Sequence, residues 1–428
     1  MKTVVIAGAG YAGLSAAIEI SEDLADREWS YEHEVLLVNE EPYHVFLTEL
    51  HSLATGVSDE DDVEVPLDRI VRAPLRLLVD RVERVQPQGR TVGLASGRAL
   101  AYSHLILAVG SVPEDYGISG VKEYANFLTD AQSAMRIRDR LDRLAERGFG
   151  EVVLVGAGLT GVELAAEIKD TYRNRLTVRL LEAGERIMPG IDPGLVAAVT
   201  RLLSDKDVKL RTGVRVNDVT SDAVEVADGT RVHFDLLLWT AGVRANPLIQ
   251  RSGLVTDRMG RALTDAYLRV RGLEDVFAAG DCAAFATAGD AYLAPTAQAA
   301  EQMGRRAAGN IVYALRGEEP EPFEPHIRGF FASLGEWEGV GQAGREEFFG
   351  LPAVLVTRLI EAQHAFEAGG THALLRRLVR NGERLLWGSM MGERRYSRRM
   401  RRAGDTGDKE IGNRAAEETR RTTVRTGN

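Results

Sequence analysis

Short runs of apolar, β-branched residues recur along the chain, and two of them run directly into glycine-rich turns. The runs Thr3 to Ala7 and Glu151 to Val155 have the length and composition of buried strands. Each turn is followed by a helical stretch and then by a second apolar run that ends in a polar residue. The pattern predicts two βαβ units, with G-x-G-x-x-G turns at Gly8, Gly10 and Gly13 and at Gly156, Gly158 and Gly161.

These glycine turns indicate dinucleotide binding. Only glycine permits so tight a turn, and the helix that follows has free N–H groups that can hold a pyrophosphate. The second unit ends its next strand at Glu182, whose carboxylate can bind an adenosine ribose and would repel the extra phosphate of NADP, which predicts NAD(H). The first unit has Asn39 there, beside Glu40, and an amide can donate and accept. The alternative is a sheet that uses glycine only for close helix packing.

A third strand end carries an acidic residue. The run from Leu273 to Ala278 opens into Gly280 and Asp281 before another helical segment. Such a carboxylate can bind a ribityl hydroxyl, and the helix start beside it offers N–H groups to a flavin ring. The alternative is that Asp281 only caps a helix.

The cysteine content narrows the possible chemistry. Cys282 is the single cysteine among 428 residues, so no intramolecular disulfide can form. The redox-active cysteine pairs of disulfide reductases and the several cysteines of sulfide:quinone reductases are therefore excluded, and no zinc or iron–sulfur site is expected. We expect Cys282 to be a small buried residue and predict no metal site.

Composition indicates a globular, intracellular protein. A hydrophobic content of 44% is ample for packed cores, and the length allows two or three domains. The first predicted strand begins within three residues of Met1, so no secretory signal is expected, and no apolar run is long enough to span a bilayer. A net charge of -10 argues against nucleic acid as a partner.

Several further segments, taken with the glycine turns, carry a resemblance to a known family. The chain resembles the flavoprotein reductases with two dinucleotide domains, and within them the type II NADH dehydrogenases (NADH:quinone oxidoreductases). The resemblance covers residues 1 to about 340, and residues 294–302 look like the A-Q-x-x-x-Q segment of the quinone pocket. The other matching segments are 38–44, 47–51, 54–56, 160–163, 239–244 and 279–282.

The resemblance implies FAD in the first unit, NADH in the second, and a quinone on the face of the flavin opposite the nicotinamide. A hydride would pass from NADH to flavin N5, and two electrons would then pass to a membrane quinone, without proton pumping. The cofactor supplies that chemistry, while the protein supplies position and electrostatics. By resemblance, the cofactor contacts also include Thr48, Gly110, Gly242, Asp281, Ala297 and Gln298.

Two pairs of residues with i, i+4 spacing supply the candidate catalytic groups. Glu163 and Glu167 share a helix face, and the resemblance places Glu163 near the flavin and nicotinamide, where a carboxylate could relay a proton. A solvated helix face is the alternative. Gln298 and Gln302 would present two amides to one pocket, the predicted quinone site. Their alternative role is a surface hydrogen bond.

Residues 372–402 have a charge opposite to that of the whole chain, with ten Arg against two Glu. Leucines at helical spacing and Trp387 give this segment the character of a basic amphipathic helix, which suits an anionic lipid surface. Because quinones reside in the bilayer, we expect the protein to lie peripherally on the cytoplasmic side of the cell membrane. The alternative is docking on the protein's own acidic surface or on a second subunit, as a homodimer.

The predicted fold class is α/β, with two Rossmann-like dinucleotide-binding domains. The FAD domain would be discontinuous, formed by residues 1–112 and 246–324, with an NAD(H) domain at 113–245 inserted. Residues 325–402 would cover the flavin and associate with the membrane, before a disordered tail at 403–428. Two other functions stay open: an NADH-dependent reductase of a small iron–sulfur electron carrier, and a redox-sensing flavoprotein.

Overall fold

The computed structural model of the protein describes residues 2–25, 33–71, 75–287, 291–335, 337–365 and 378. The chain divides into two compact units, Met1–Arg377 and Leu378–Asn428. All helices and strands named below belong to the first unit. The predicted lipid-binding segment 372–402, apart from Leu378, and the predicted tail 403–428 lie outside the described residues.

The first sheet is built around a strand that is apolar on both faces. Val4, Val5 and Ile6 are fully buried, as a central strand of a parallel sheet requires when helices cover both faces. All pairings in this sheet are parallel. In spatial order the strands are β21 (Val276–Ala278), β9 (His104–Leu107), β1 (Lys2–Ala7), β2 (His33–Asn39) and β5 (Leu75–Val79).

A second five-stranded parallel sheet repeats this arrangement. Val152, Val153 and Leu154 of its central strand are fully buried, and all its pairings are parallel. In both sheets the central strand runs directly into a glycine turn, which confirms the predicted α/β class with two Rossmann-like units. Its strands are β11 (Asn126–Phe127), β18 (Leu236–Trp239), β12 (Glu151–Val155), β13 (Thr177–Leu181) and β14 (Val208–Arg211).

The helices include one after each glycine turn. In order they are α1 (Tyr11–Ala25), α2 (Leu50–Ala54), α3 (Glu60–Val63), α4 (Val121–Tyr124), α5 (Ala131–Glu146), α6 (Leu159–Tyr172), α7 (Pro193–Asp205), α8 (Leu248–Arg251), α9 (Ala297–Arg316) and α10 (351–365). Helix α9 starts at a side-chain cap, since the Thr296 hydroxyl accepts the Ala299 N–H at 3.2 Å. It ends at Gly317, which has a φ of +71°.

Helices α1 and α9 pack against each other through small residues. A Cβ at Gly304 would lie 2.0 Å from the carbonyl oxygen of Ala12, so only glycine allows this approach. Gly280 belongs to the same contact, because a Cβ there would lie 3.1 Å from the Ala12 side chain and 3.4 Å from that of Ala300. The packing therefore brings the N-terminal ends of α1 and α9 together beside the turn at Gly280.

Smaller sheets complete the unit. Three are antiparallel and three-stranded: β6 (Val82–Gln86), β7 (Thr91–Leu94) and β8 (Ala99–Ala101); β15 (Val216–Val219), β16 (Ala223–Val226) and β17 (Arg231–His233); β23 (Gly329–Ser333), β24 (Gly339–Ala343) and β25 (Glu346–Phe349). The two-stranded pairs are β3 (Tyr43–Val45) with β4 (Glu64–Pro66), β10 (Ser111–Pro113) with β19 (Val243–Ala245), and β20 (Ala262–Leu263) with β22 (Ala283–Ala284).

Strand β25 is followed by helix α10, which has an exposed apolar ridge. Leu351, Leu355 and Leu359 of α10 recur every four residues, so they lie on one face, and they are 42%, 41% and 65% exposed. None of the helices that the structure describes is long and apolar enough to cross a membrane.

Candidate active site

The first glycine turn leaves one side open for a ligand. Gly8 has a φ of +100°, and a Cβ there would lie 2.4 Å from the carbonyl oxygen of Ala108. A Cβ at Gly13 would lie 1.8 Å from the carbonyl oxygen of Gly8. A Cβ at Gly10 would meet nothing within 4 Å. Gly8 and Gly13 therefore make the turn possible, and Gly10 keeps its outer side clear for a pyrophosphate.

The polar residue at the end of β2 is bonded to this turn. Asn39 Oδ1 accepts the Ala9 N–H at 2.8 Å, and Asn39 Nδ2 donates to the Glu41 carbonyl oxygen at 2.8 Å. Glu40 is exposed, with an oxygen 3.5 Å from the Arg81 guanidinium. Of the two predicted contacts, Asn39 thus lies at the turn, and Glu40 is placed toward Arg81.

Sequence reasoning missed two aromatic side chains that line the same turn. His44 Nδ1 lies 2.8 Å from the Ala9 carbonyl oxygen, and burial lowers the pKa of His44 to about 4, so the ring is neutral and donates. The hydroxyl of Tyr11 lies 2.9 Å from that of Thr48, which was predicted as a cofactor contact. The rings of Tyr11 and His44 meet edge to face at 5.3 Å. His44 stood within the matching segment 38–44 and Tyr11 within the first glycine turn, but no spacing marked either residue.

The predicted ribityl acceptor sits where the two helix N-termini meet. Asp281 Oδ2 accepts the Ser111 hydroxyl at 2.8 Å. Burial raises the pKa of Asp281, and the bond from Ser111 and the charge of Arg261 oppose that rise. Ala297 is the first residue of α9 beside this turn, so its N–H has no partner within the helix. Gly110, which follows β9, has a φ of +64°.

Cys282 follows Asp281 and is fully buried. Its thiol donates to the Leu107 carbonyl oxygen at 3.2 Å. Burial raises the pKa of Cys282 to about 11, so the residue is a thiol rather than a nucleophilic thiolate. This confirms the expectation of a small buried residue. Within the described ranges, no group of three or more His, Cys, Asp and Glu side chains could hold a metal ion.

The second glycine turn has the same backbone geometry as the first. Gly156 has a φ of +104°, and a Cβ at Gly161 would lie 2.0 Å from the Gly156 carbonyl oxygen. A Cβ at Gly158 would meet nothing within 4 Å. Here the residue after the strand is Glu182, whose Oε2 accepts the Ala157 N–H and whose Oε1 accepts the Gly184 N–H, each at 2.7 Å. The carboxylate is therefore fixed beside the turn, where its remaining lone pairs can accept ribose hydroxyls.

Gly242 lies in the neighbouring turn after β18. Its φ is +142°, and a Cβ there would lie 2.6 Å from the hydroxyl of Tyr116. The preceding residue, Ala241, touches the glycine turn itself, because a Cβ at Gly156 would lie 2.5 Å from the Ala241 nitrogen.

The acidic pair on α6 is buried. Glu163 and Glu167 are each 8% exposed, so the alternative of a solvated helix face is wrong. Glu163 Oε1 accepts the Ser333 N–H of β23 at 3.2 Å. Burial raises the pKa of Glu163 to about 7; the charge of His51 and the bond from Ser333 lower it, and Glu167 and Glu361 add to the rise.

Helix α2 supplies the partners of the second carboxylate. The Ser52 hydroxyl donates to Glu167 Oε1 at 3.0 Å, and His51 Nε2 lies 3.9 Å from Glu167 Oε2. Ser52 and Glu167 are 115 residues apart in sequence, and no local pattern could have connected them. The contact joins a helix near the first glycine turn to the helix that leaves the second one.

The two predicted quinone-site glutamines hold a backbone segment. Gln302 makes a pair of bonds with His326: its Nε2 donates to the carbonyl oxygen at 3.0 Å, and its Oε1 accepts the N–H at 2.9 Å. Gln298 Oε1 accepts the Arg328 N–H at 2.8 Å. The structure therefore brings both amides to one place, as their spacing predicted, and they fix the chain just before β23.

The residues present fit two dinucleotides. Each turn has a clear outer side at its middle glycine, a helix N-terminus behind it and a polar strand-end residue bonded to it. Of the two turns, the first adjoins a second helix N-terminus, that of α9, together with the half-buried carboxylate of Asp281, and this pair of features suits a flavin.

Comparison with known proteins agrees with this geometry. A model of the pyridine nucleotide-disulphide oxidoreductase family matches residues 2–304. The type II NADH:quinone oxidoreductase of Staphylococcus aureus is 30% identical over 394 residues, covering 86% of this chain and 96% of that protein.

Two solved structures share the fold. NDH2 from Plasmodium falciparum in complex with NADH has a TM-score of 0.80 at 17% identity, over 91% of this chain and 99% of that one. The sulfide:quinone oxidoreductase of Aquifex aeolicus has a TM-score of 0.74 at 19% identity, over 86% and 92% of the two chains. Taken together, the family match and the Staphylococcus aureus relative show that the chain belongs to the pyridine nucleotide-disulphide oxidoreductase family, among its type II NADH:quinone oxidoreductases.

Proposed function

We propose that this protein oxidises NADH and reduces a quinone by means of bound FAD. The observation that carries the proposal is the presence of two glycine turns with bonded strand-end acceptors in a chain that is 30% identical, over 86% of its length, to a type II NADH:quinone oxidoreductase. FAD supplies the redox chemistry, because a flavin accepts a hydride from NADH and can pass two electrons to a quinone. The protein itself binds and orients FAD, NADH and the quinone, and it supplies and accepts protons.

FAD is held, in this proposal, by residues 1–112 and 246–324. The turn at Gly8, Gly10 and Gly13 takes the pyrophosphate, and Asn39 takes the adenosine ribose. Asp281 takes the ribityl chain, and the N–H groups of α9 at Ala297 and Gln298 face the flavin ring. Support comes from the convergence of the α1 and α9 N-termini at Gly280. Thr48, Gly110 and Glu40 complete the proposed FAD contacts, with Thr48 beside Tyr11 and Glu40 beside Arg81.

NADH is held by residues 113–245. The pyrophosphate lies on the turn at Gly156, Gly158 and Gly161, with Gly242 beside it. Glu182 accepts both ribose hydroxyls, and its charge excludes the 2′-phosphate of NADPH. The two backbone N–H groups that Glu182 accepts support this role, because they fix the carboxylate in place.

Glu163 holds the proton that accompanies electron transfer. A carboxyl with a pKa of about 7 can take up and release a proton near neutral pH, which is the condition for efficient general acid and base catalysis. The Ser52 hydroxyl holds Glu167 in place, and the charge of Glu167 adds to the rise in the pKa of Glu163.

The quinone site lies near the start of α9. Gln298 and Gln302 fix residues 326–328 as one wall of this site. Support for this placement comes from the paired bonds of Gln302 with His326 and the bond of Gln298 with Arg328, which hold this segment against the start of α9.

The protein acts at the cytoplasmic face of the cell membrane, without crossing it. The apolar ridge of α10 would enter the acyl boundary, and the Arg-rich segment 372–402 would lie among anionic headgroups. The same segment could instead join two subunits in a homodimer, which is the competing use of that surface.

Liposome binding tests the membrane proposal. Truncation after residue 371 and the single substitution Leu359→Glu should each reduce binding to anionic liposomes, and the binding of the parent should weaken as salt rises. Two variants are used because the truncation alone could impair folding. Binding that neither change affects would contradict the proposal, as would a parent dimer that falls apart on truncation without any loss of lipid affinity.

Anaerobic stopped flow tests the proposed reaction. The yellow, FAD-loaded protein is reduced with NADH and then mixed with a short-chain quinone in detergent. Reoxidation as fast as steady-state turnover would support quinone reduction. Prompt reduction followed by slow reoxidation would refute it and favour an iron–sulfur electron carrier as acceptor, or a redox-sensing role if no acceptor gives turnover.

A further inference from the structure

Tyr116 adopts a backbone conformation that is rare for an aromatic residue. Its φ is +54°, in the left-handed region where a bulky side chain crowds the backbone. Two acidic side chains hold the loop in this shape: Glu114 Oε1 accepts the Tyr116 N–H at 2.9 Å, and Asp115 Oδ1 accepts the Gly117 N–H at 2.8 Å. An observed strain of this kind directs attention to function.

The side chain of Tyr116 lies at the second glycine site. Its hydroxyl donates to the Ala241 carbonyl oxygen at 2.9 Å, and Ala241 is the residue that touches Gly156. The ring is 62% exposed, so burial of the ring does not explain why the loop keeps this conformation.

The segment that carries Tyr116 also reaches the flavin site. At its start, the Ser111 hydroxyl donates to Asp281. Farther along, the Glu114 N–H donates to the Gly242 carbonyl oxygen at 3.0 Å, and its carbonyl oxygen accepts the Trp239 indole N–H at 2.8 Å. Residues 111–116 therefore connect the proposed ribityl acceptor with the turn behind the NADH pyrophosphate. In the proposed arrangement, the nicotinamide end of NADH has to reach from this turn toward the flavin.

We propose that Tyr116 is a positioning residue for the nicotinamide half of NADH. The inference rests on the proposed NADH site. The aromatic face forms a wall for the planar nicotinamide ring, and the hydroxyl fixes the Ala241 carbonyl beside it. Partial burial, together with the charges of Glu114 and Glu182, raises the pKa of Tyr116, so the hydroxyl remains a donor.

A purely structural role gives a different expectation. If Tyr116 only tied its loop to Ala241, its removal would disturb the whole turn and weaken every nucleotide alike. If it positions the nicotinamide half, removal of Tyr116 should leave the affinity for ligands without a nicotinamide unchanged. NAD⁺ and ADP-ribose form this pair of probes, since they share the adenosine and pyrophosphate.

Calorimetric titration of the FAD-loaded enzyme with NAD⁺ and ADP-ribose separates the two accounts. Tyr116→Ala should weaken NAD⁺ about tenfold and Tyr116→Phe about threefold, with ADP-ribose changed less than twofold. Tyr116→Gly relieves the backbone strain, so it should melt no lower than the parent and still lose NAD⁺ affinity. The matched control is Tyr313→Phe, which removes the hydroxyl of an α9 tyrosine that lies near Glu321. This variant should bind both probes like the parent.

Equal weakening of the two probes, or no weakening of either, would overturn the role of Tyr116. A parent enzyme that binds neither probe would instead refute the proposed NADH site, so the two failures are distinguishable. Flavin reduction at saturating NADH gives a second readout. The limiting rate should fall in Tyr116→Ala, because a misplaced nicotinamide slows the chemical step as well as binding.

Discussion

The two glycine turns of this protein have nearly the same backbone and different surroundings. Their first glycines have φ values of +100° and +104°, and a Cβ at the last glycine would lie 1.8 Å or 2.0 Å from the carbonyl oxygen of the first. In each turn, a side chain at the end of the next strand accepts the N–H of the residue after the first glycine. Asn39 accepts the Ala9 N–H at 2.8 Å, and Glu182 accepts the Ala157 N–H at 2.7 Å.

The differences lie in charge and in neighbours. Asn39 is a neutral amide, whereas Glu182 is an acidic side chain that accepts a second backbone N–H, from Gly184. The first turn also has His44 and Tyr11 beside it and α9 converging on it. The comparison teaches that the backbone of the two turns is alike, and that the side chains around them are what distinguishes the proposed FAD site from the proposed NADH site.

The largest expected effect comes from adding a methyl group to each turn. Gly13→Ala and Gly161→Ala both force a Cβ against a carbonyl oxygen. Gly13→Ala should yield protein without bound flavin, and Gly161→Ala should yield yellow protein whose flavin NADH reduces at least 100-fold more slowly. Flavin content and stopped-flow reduction measure this. Gly309→Ala, at an α9 position with nothing within 4 Å, should leave both unchanged.

Loss of flavin from Gly161→Ala, with retention in Gly13→Ala, would reverse the assignment of the two turns. Equal loss from both variants would mean that the turns depend on each other for folding.

The next effect concerns Glu163, on the helix that leaves the second turn. Its pKa rises from 4.5 in the unfolded chain to about 7 in the folded protein, so the folded state binds the proton more tightly. As far as this group is concerned, the free energy of unfolding is highest below pH 4.5. It falls by on the order of 3 kcal/mol as the pH rises through 7.

Glu163→Gln should remove this decline, and urea unfolding at pH 5 and pH 8 measures it. The charges that act on Glu163 are those of His51, Glu167 and Glu361. Glu167→Gln is the matched control, because it keeps Glu163 and should therefore keep the decline. The same decline in the parent and in Glu163→Gln would show that Glu163 does not bind the proton in question.

Glu182→Ala should affect only the second site. It removes the proposed ribose acceptor and the partner of the Ala157 and Gly184 N–H groups. We expect the KM for NADH to rise about tenfold and discrimination against NADPH to relax. Steady-state kinetics with both nucleotides measures this, and Asn39→Ala is the control, since it should leave the NADH KM unchanged. An unaltered cofactor preference would contradict the role of Glu182.

The smallest expected effect is that of Gln302→Ala, at the proposed quinone side of the flavin. Loss of the paired bonds with His326 should loosen residues 326–328 and slow quinone reduction about fivefold, with reduction by NADH intact. The two half-reactions are measured separately. An equal loss in both would contradict the quinone assignment.

Much of the fold was predictable because its signals are local. Parallel strands buried on both faces read as continuous apolar runs, and the glycine turns carry steric requirements within six residues. Glu182 and Asn39 were identified for the same reason, because each directly follows a strand. The domain boundaries stay predictions, although the strands of each five-stranded sheet fall within the segments expected for them.

The sequence by itself determined the two βαβ units, the strand-end acceptors, the acidic turn at Asp281 and the common helix face of Gln298 and Gln302. All of these depend on residues close together in the chain. Only the tertiary structure decided that Glu163 and Glu167 are buried, that Ser52 bonds to Glu167 and that Tyr116 lies on Ala241. The physical reason is that burial and charge coupling arise from packing between distant segments. A helix pattern shows which residues share a face, but only the fold shows what that face meets.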